Sequence, residues 1–298
     1  MIINPSEVSQ GTLHNYLLSA VAPRPIAFAA TIDLEGRVNL SPFSFFNVFS
    51  SNPPIMIFSP AYRGRDGSSK HTLDNVLAVP ECTISMVNYP IVEQMSLAST
   101  EYGAGVNEFV KAGLTQKASK TIKTPFVGES PVAFECKVDQ VIHLNRTQGG
   151  GSGNLVICEV QRIHIQEQYL DEAGHLDTTK LDLVGRMGGV WYNRTQPNAL
   201  FEIPKPLRTK GIGVDQLPEF IRNSHILTGN NLGRLGNIEN LPDIADIEKV
   251  KAEPEVSAIL SGNEDRTQKE IRLHQLAKSL LEDGNLKKAL KILLFRHF

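Results

Sequence analysis

Up to about Asn193 the chain is built from short apolar runs rich in β-branched residues, each interrupted by Pro, Gly, Asn or Asp. Residues 26–32, 55–58, 83–87, 132–138 and 155–165 are such runs, and bounded in this way they read as strands. Between two of them, Asp33-Leu34-Glu35-Gly36-Arg37 reads as a hairpin turn in which Gly36 is free to take a positive φ. Helical spacing shows at 70–77 and at 91–98, the latter with Ile91, Met95 and Ala98 along one face. Many short strands with few long helices predict a mainly β fold, closed or sandwiched.

The pattern changes from about Pro204. Residues 210–242 are rich in Gly and Asn (Gly211, Gly213, Gly229, Gly233, Gly236) and read as a long loop with a short helix near 218–222. After Pro242 the spacing turns helical. Thr267-Gln268-Lys269-Glu270 has the form of a capping box, and Leu273, Leu276, Ala277, Leu280 and Leu281 follow as one face. Gly284-Asn285 stops that helix, and 286–295 starts another. Such a helical hairpin cannot bury its own apolar faces. It is expected to dock on the β part or on a partner subunit, with a recruitment module as the alternative. The division expected is 1–200 and 201–298.

Composition narrows the functions. The 298 residues carry 30 basic and 32 acidic side chains, for a net charge of −2. This disfavours nucleic acid or an anionic membrane as the main partner, since both select a basic surface. No apolar run is long enough to span a bilayer, and Met1 to Glu7 has no basic and then apolar leader, so a cytoplasmic location is expected. Cys82, Cys136 and Cys158 each sit in a strand-like run with no CxxC spacing, and read as reduced buried thiols. There is no GxxxxGK[ST], HExxH or GxSxG. Gly211-Ile212-Gly213 lacks the strand and third glycine of a dinucleotide fingerprint, and 149–153 reads as a flexible hairpin loop. No metal site is expected.

Four pieces in order carry the informative signal: Pro23-Arg24-Pro25; Asn39-Leu40-Ser41-Pro42-Phe43-Ser44-Phe45-Phe46-Asn47; Asn52-Pro53-Pro54; and Lys70-His71-Thr72-Leu73-Asp74-Asn75. Over these residues the sequence resembles the flavin reductase-like FMN-binding family. The likeness runs more weakly through 159–165 to Arg186-Met187-Gly188-Gly189-Val190-Trp191-Tyr192, covering about 10–193. The resemblance implies an FMN-binding split β-barrel of Greek-key type, to which the helical spacing beyond it adds a helical C-terminal extension, and a homodimer with the flavin at the subunit boundary. It also implies an oxidoreductase in which NADH or NADPH reduces the flavin and electrons pass to free flavin, oxygen or an electron-acceptor protein. A flavoredoxin-like FMN carrier without direct NAD(P)H activity, or a flavin-binding interaction module, are the alternatives.

An FMN phosphate needs amide and hydroxyl donors and one or two cations. Lys70, Thr72 and Ser41 or Ser44 can supply them, with 70–72 opening a helix. Arg24 is a second candidate cation, or else a surface or interface salt-bridge partner. Alternation along one strand would send Phe43 and Phe45 to one side and Ser44 and Phe46 to the other. From the resemblance, Ser41, Pro42, Phe43 and Ser44 are carried over as flavin contacts, with Thr31 and Ser59 added. Asn47 could reach a ring carbonyl or cap a turn. Two departures stand out: His71 where the family usually has an acidic residue, and 149–154 in place of a family Asp-His pair. His143 reads as core or surface, and Trp191 as core, interface or flavin rim.

Overall fold

The computed structural model describes residues 1–144, 151–203 and 209–295. Gly149, Gly150 and Pro204 of the segments discussed above lie outside them. The chain divides into two compact units, Met1–Phe201 and Glu202–Phe298.

The first unit is built on β1 (Ala27–Ile32), β2 (Val38–Phe43), β3 (Phe46–Ser51), β4 (Pro54–Phe58), β5 (Glu81–Met86), the two-residue pair β6 (Gln116–Lys117) and β7 (Phe126–Val127), and the long β8 (Val132–His143) and β9 (Asn154–Ile165). A further hairpin, β10 (Val184–Arg186) and β11 (Tyr192–Arg194), follows. Its helices are α1 (Gln10–Ala20), α2 (His71–Ala78), α3 (Val92–Ala98), α4 (Glu108–Ala112) and α5 (Thr178–Leu181). Seven strands form one sheet in the order β2-β1-β5-β8-β9-β4-β3, with antiparallel pairing throughout. Its edges, β2 and β3, are consecutive in the chain, yet among the described residues no ladder joins them, so the sheet curls without closing.

Every residue of β1 is buried. Its alternation therefore feeds two cores. Phe28 and Ala30 pack with Leu40, Ile91, Met95 and Phe109 under α3 and α4. Ala27 and Ala29 face the other way, toward Phe43, Phe58, Leu73, Val76 and the three cysteines. Complete burial of a ring such as Phe28 or Phe58 contributes roughly 2–3 kcal/mol. Cys82 pairs with Cys136 in register, and its Sγ lies 3.7 Å from that of Cys158; all three are free and buried.

Two carboxylates clasp the loop that joins β6 to β7. Glu81 accepts from the amides of Lys123 (2.8 Å) and Thr124 (2.9 Å). The fully buried Glu135 accepts from the amides of Lys120 (2.6 Å) and Thr121 (2.7 Å) and from the Thr121 hydroxyl, and lies 2.6 Å from His164 Nε2. Burial pushes the Glu135 carboxyl up, but the Thr121 hydroxyl, the two amides and the His164 ring together hold it at about 2 instead of 4.5. A carboxyl depressed by folding stabilises fully above its unfolded value and loses that contribution as pH falls through the folded one. The shift corresponds to at most about 3–4 kcal/mol, and screening around the part-exposed His164 lowers this to about 1–2 kcal/mol. Urea unfolding should therefore show wild type losing that margin between about pH 4.5 and 2, with Glu135→Gln already lacking it at neutral pH. Parallel acid profiles for the two proteins would remove Glu135 from this role.

Among the described residues the second unit has helices and no strand: α6 (Glu219–Arg222), α7 (Gly229–Gly236), α8 (Ile244–Lys251), α9 (Pro254–Ser261), α10 (Arg266–Glu282) and α11 (Leu286–Leu293). The mainly β expectation therefore holds for the central sheet, while the whole chain is mixed. Glycine-rich 229–236 is a helix where a loop was expected. Thr228 accepts from the Asn231 amide, Asn231 Oδ1 accepts in return from the Thr228 amide, and Leu235 is buried. The long helix starts two residues earlier than the expected box implies, with Asp265 in place of Thr267 as the cap and accepting from the Gln268 amide. The apolar faces of α10 and α11 also need no outside cover. Leu273, Ala277, Leu281, Leu290 and Leu293 join Ile221, Leu235, Val250, Val256 and Ile259 in one buried cluster within the unit.

Candidate functional site

Strand alternation in β2 sends Leu40 into the core under α3 and turns Asn39, Ser41 and Phe43 toward α2. Two polar latches then set the helix against the β1–β2 hairpin. Asn39 Nδ2 donates to Thr72 Oγ1 (2.9 Å), and Asn75 Nδ2 donates to Thr31 Oγ1 (3.0 Å). Thr72 and Asn75 are three residues apart and so share a helix face, which is why both belong to one motif. Each threonine accepts through its oxygen and keeps its own hydrogen to give.

Lys70 occupies the N-cap position of α2, and no side chain caps that end. The first turn thus presents amide hydrogens and the positive end of the helix beside the Lys70 ammonium. Lys70 Nζ lies 5.3 Å from the centre of the Phe43 ring, which itself packs 5.3 Å from that of Phe58. Ser41, Lys70, His71 and Thr72 line one polar pocket with Asn39, Arg63, Ser99, Thr100, Glu101, Tyr102 and Glu108. The Lys70 pKa is lowered, first by burial and then by Arg63, with Glu101 opposing. Burial pushes the Glu108 carboxyl up, against the Leu40 amide that donates to it (2.9 Å) and the nearby His71. The donor set is that of an oxyanion site: an ammonium, a guanidinium, hydroxyls and an uncapped helix start.

The other residues singled out from sequence fall around this pocket in different ways. Arg24 is buried and its guanidinium is committed to protein: Nη1 to the carbonyls of Leu18 (2.5 Å) and Val21 (2.7 Å), Nη2 to that of Met187 (3.1 Å), and Nε to Ser44 Oγ (3.4 Å). It clamps the end of α1 and the β10–β11 hairpin instead of presenting a free cation or a salt bridge. Ser59 accepts from the Asn154 amide (3.1 Å) and donates its own amide to the Phe45 carbonyl (2.8 Å), which ties the end of β4 to the Ser44-Phe45 link. A Cβ at Gly153 would come within 2.8 Å of Ser59 Oγ, so glycine there permits the approach. His143 Nδ1 lies 2.6 Å from Asn154 Oδ1 in the same neighbourhood.

Pro42 pairs with Phe28 across the hairpin. Alternation does not continue through 43–46 as expected, because β2 ends at Phe43 and β3 starts at Phe46. Phe43 and Phe46 consequently enter the same core, while Phe45 is exposed. Asn47 stands apart, beside an apolar depression lined by Pro25, Val48, Met56, Phe134 and Leu183, and its Oδ1 accepts from the Val48 amide (2.8 Å). Trp191 is 74% exposed at the tip of the β10–β11 hairpin, so it is no core residue. Arg63, Glu101 and Glu108 escaped the sequence reading. Arg63 lies on the same β4–α2 connection as Lys70, while Glu101 and Glu108 arrive from the loop after α3 and the start of α4, and nothing local marks any of the three.

Residues 19–196 match the family model of the flavin reductase like domain. A protein of Aquifex aeolicus (strain VF5) is 36% identical over 186 residues, spanning 62% of this chain and 91% of its own. The nitrilotriacetate monooxygenase component B of Bacillus cereus superposes with a TM-score of 0.64 at 27% identity, covering 68% of this chain and 98% of its own. The 2-nitrobenzoate 2-nitroreductase of Pseudomonas fluorescens gives 0.60 at 25% identity, over 71% and 100%. At the level of fold alone, a split barrel domain from Shewanella frigidimarina NCIMB 400 gives 0.57 at 24% identity, over 69% and 99%. The helical unit lies beyond the matched segment.

Proposed function

The chain belongs to the flavin reductase-like family, and on that footing we propose that it binds FMN and works as an NAD(P)H-dependent oxidoreductase of flavin reductase type. The observation that carries this reading is the pocket at the start of α2, where Lys70, Arg63, Thr72 and Ser41 meet next to the Phe43 ring. Bound there, FMN would supply a hydride acceptor that can release its electrons singly or in pairs.

The protein's part is to bind, orient and keep water out. Lys70, Ser41 and Thr72 hold the phosphate with the first amides of α2, and Asn39 and Asn75 keep that helix seated. Phe43 and the Ser44-Phe45 link, braced by Ser59 and Arg24, offer an apolar wall with backbone groups at its edge for the ring. No side chain has to move a proton. Electrons then pass to free flavin, to oxygen or to a partner protein. The reading includes a homodimer, and the exposed Val190 and Trp191 on the β10–β11 tip support an interface there. Among the described residues no helix is long and apolar enough to cross a membrane.

The test is direct. The purified protein, loaded with FMN, should keep a yellow absorbance through gel filtration and bleach promptly in anaerobic stopped flow with NADH or NADPH. Failure to retain FMN would defeat the proposal. Retention with bleaching only by a reduced protein donor would replace the reductase with an electron carrier.

A further inference from the structure

The phosphate pocket carries two carboxylates, Glu101 and Glu108, that the reading above leaves without a task. Glu101, in the loop after α3, lines the pocket together with Lys70 and Thr72. Its Oε1 lies 3.3 Å from Arg63 Nε and its Oε2 3.1 Å from an Arg65 guanidinium nitrogen. The two arginines differ. The Arg63 side chain is 16% exposed against 71% for Arg65. Arg63 is further fixed by donating to Ser68 Oγ (3.2 Å) and to the Ser69 carbonyl, so it stays in the pocket whatever Glu101 does.

Burial first and Arg63 second make the Lys70 charge costly, and Glu101, which pairs with Arg63, is the carboxylate that opposes them. A phosphate monoester carries nearly two negative charges at neutral pH and would be drawn by the same cations. Glu101 and the phosphate are then rivals for Arg63. Glu108, the pocket's other carboxylate, is poorly placed for such an exchange. It is buried, with Oε2 held by the Leu40 amide. The Glu101 side chain is 51% exposed and has Arg65 at hand on its outer side, so it can leave Arg63 without becoming a bare charge.

We infer that Glu101 is an internal counter-ion which Arg63 exchanges for the flavin phosphate, and that it thereby sets how strongly the site prefers phosphorylated flavin over riboflavin. This rests on the FMN reading. Its signature is a gain on removing a pocket residue.

In the full chain, Glu101→Gln should tighten FMN by about three- to fivefold, the scale of one part-exposed ion pair, and leave riboflavin unchanged. Glu101→Ala, which also deletes the hydrogen bond to Arg63, should act in the same direction. Dissociation constants from flavin fluorescence quenching read both, with thermal melts confirming that each variant is folded. Weaker FMN binding in both variants would mean that Glu101 orients Arg63 instead of competing for it, and would overturn the inference. Unchanged FMN affinity, or an equal gain for riboflavin, would overturn it as well. Wild type binding neither flavin would remove the FMN reading and this inference together, whereas wild type binding FMN with no gain in the variants removes this inference alone.

Discussion

Lys70→Ala is expected to weaken FMN binding by about 10- to 100-fold while leaving riboflavin within about twofold, on the scale of one charge-assisted contact. The asymmetry follows from the geometry. The ammonium stands at the uncapped start of α2 and within 5.3 Å of the Phe43 ring centre, where a phosphate at the helix end would meet it directly. Burial and Arg63 both make its charge costly in the absence of an anion, so part of the binding energy comes from relieving that cost. Riboflavin has no phosphate with which to do this. Parallel titrations of the two flavins decide the matter, and an equal loss for both would take Lys70 out of phosphate recognition. Arg24 offers an instructive contrast. Its charge is satisfied by three carbonyls, which makes it a clamp between α1 and the β10–β11 hairpin.

Gly211→Ala should destabilise the helical unit by about 1–3 kcal/mol, the usual cost of forcing a methyl into a packed contact. The backbone there runs against the end of α7, with the Ile212 amide donating to the Ile238 carbonyl (2.7 Å) and the Gly213 amide to the Gly236 carbonyl (2.9 Å). A Cβ at Gly211 would lie 2.5 Å from the Gly236 carbonyl oxygen and 2.8 Å from Asn237 Cα, and backbone atoms cannot step aside as the end of a side chain can. Gly236 is equally confined, since its Cβ would fall 2.8 Å from the Val214 amide nitrogen. Chemical denaturation followed by helical circular dichroism measures the effect. A variant as stable as wild type would show that this approach does not matter to the unit.

The glycines also mark a limit of reading the chain by local rules. Helix propensity is poor across Gly229–Gly236, and a loop is the natural expectation. The helix forms because the Thr228–Asn231 caps satisfy its first amides and because Leu235 is buried against α10 and α11. The faces of those two helices were legible from spacing, but their cover, supplied by segments up to about 70 residues earlier, was not. The same limit appears at 43–46, where unbroken alternation is the simplest expectation and a change of strand reverses it.

What could be known from the chain alone was whatever depends on near neighbours: strand alternation in β1 and β2, the helix opening at Lys70, and Thr72 with Asn75 on one helical face. Side-chain periodicity and capping act over a few residues, so the order of residues carries them. Tertiary structure alone decided which charges share a cavity. Arg63 and Lys70 share the β4–α2 connection, but Glu101 and Glu108 come from the loop after α3 and the start of α4, and reach them only when the sheet has curled and α2, α3 and α4 have packed on it. Electrostatic interactions depend on distance in space and on burial, and neither follows from separation along the chain.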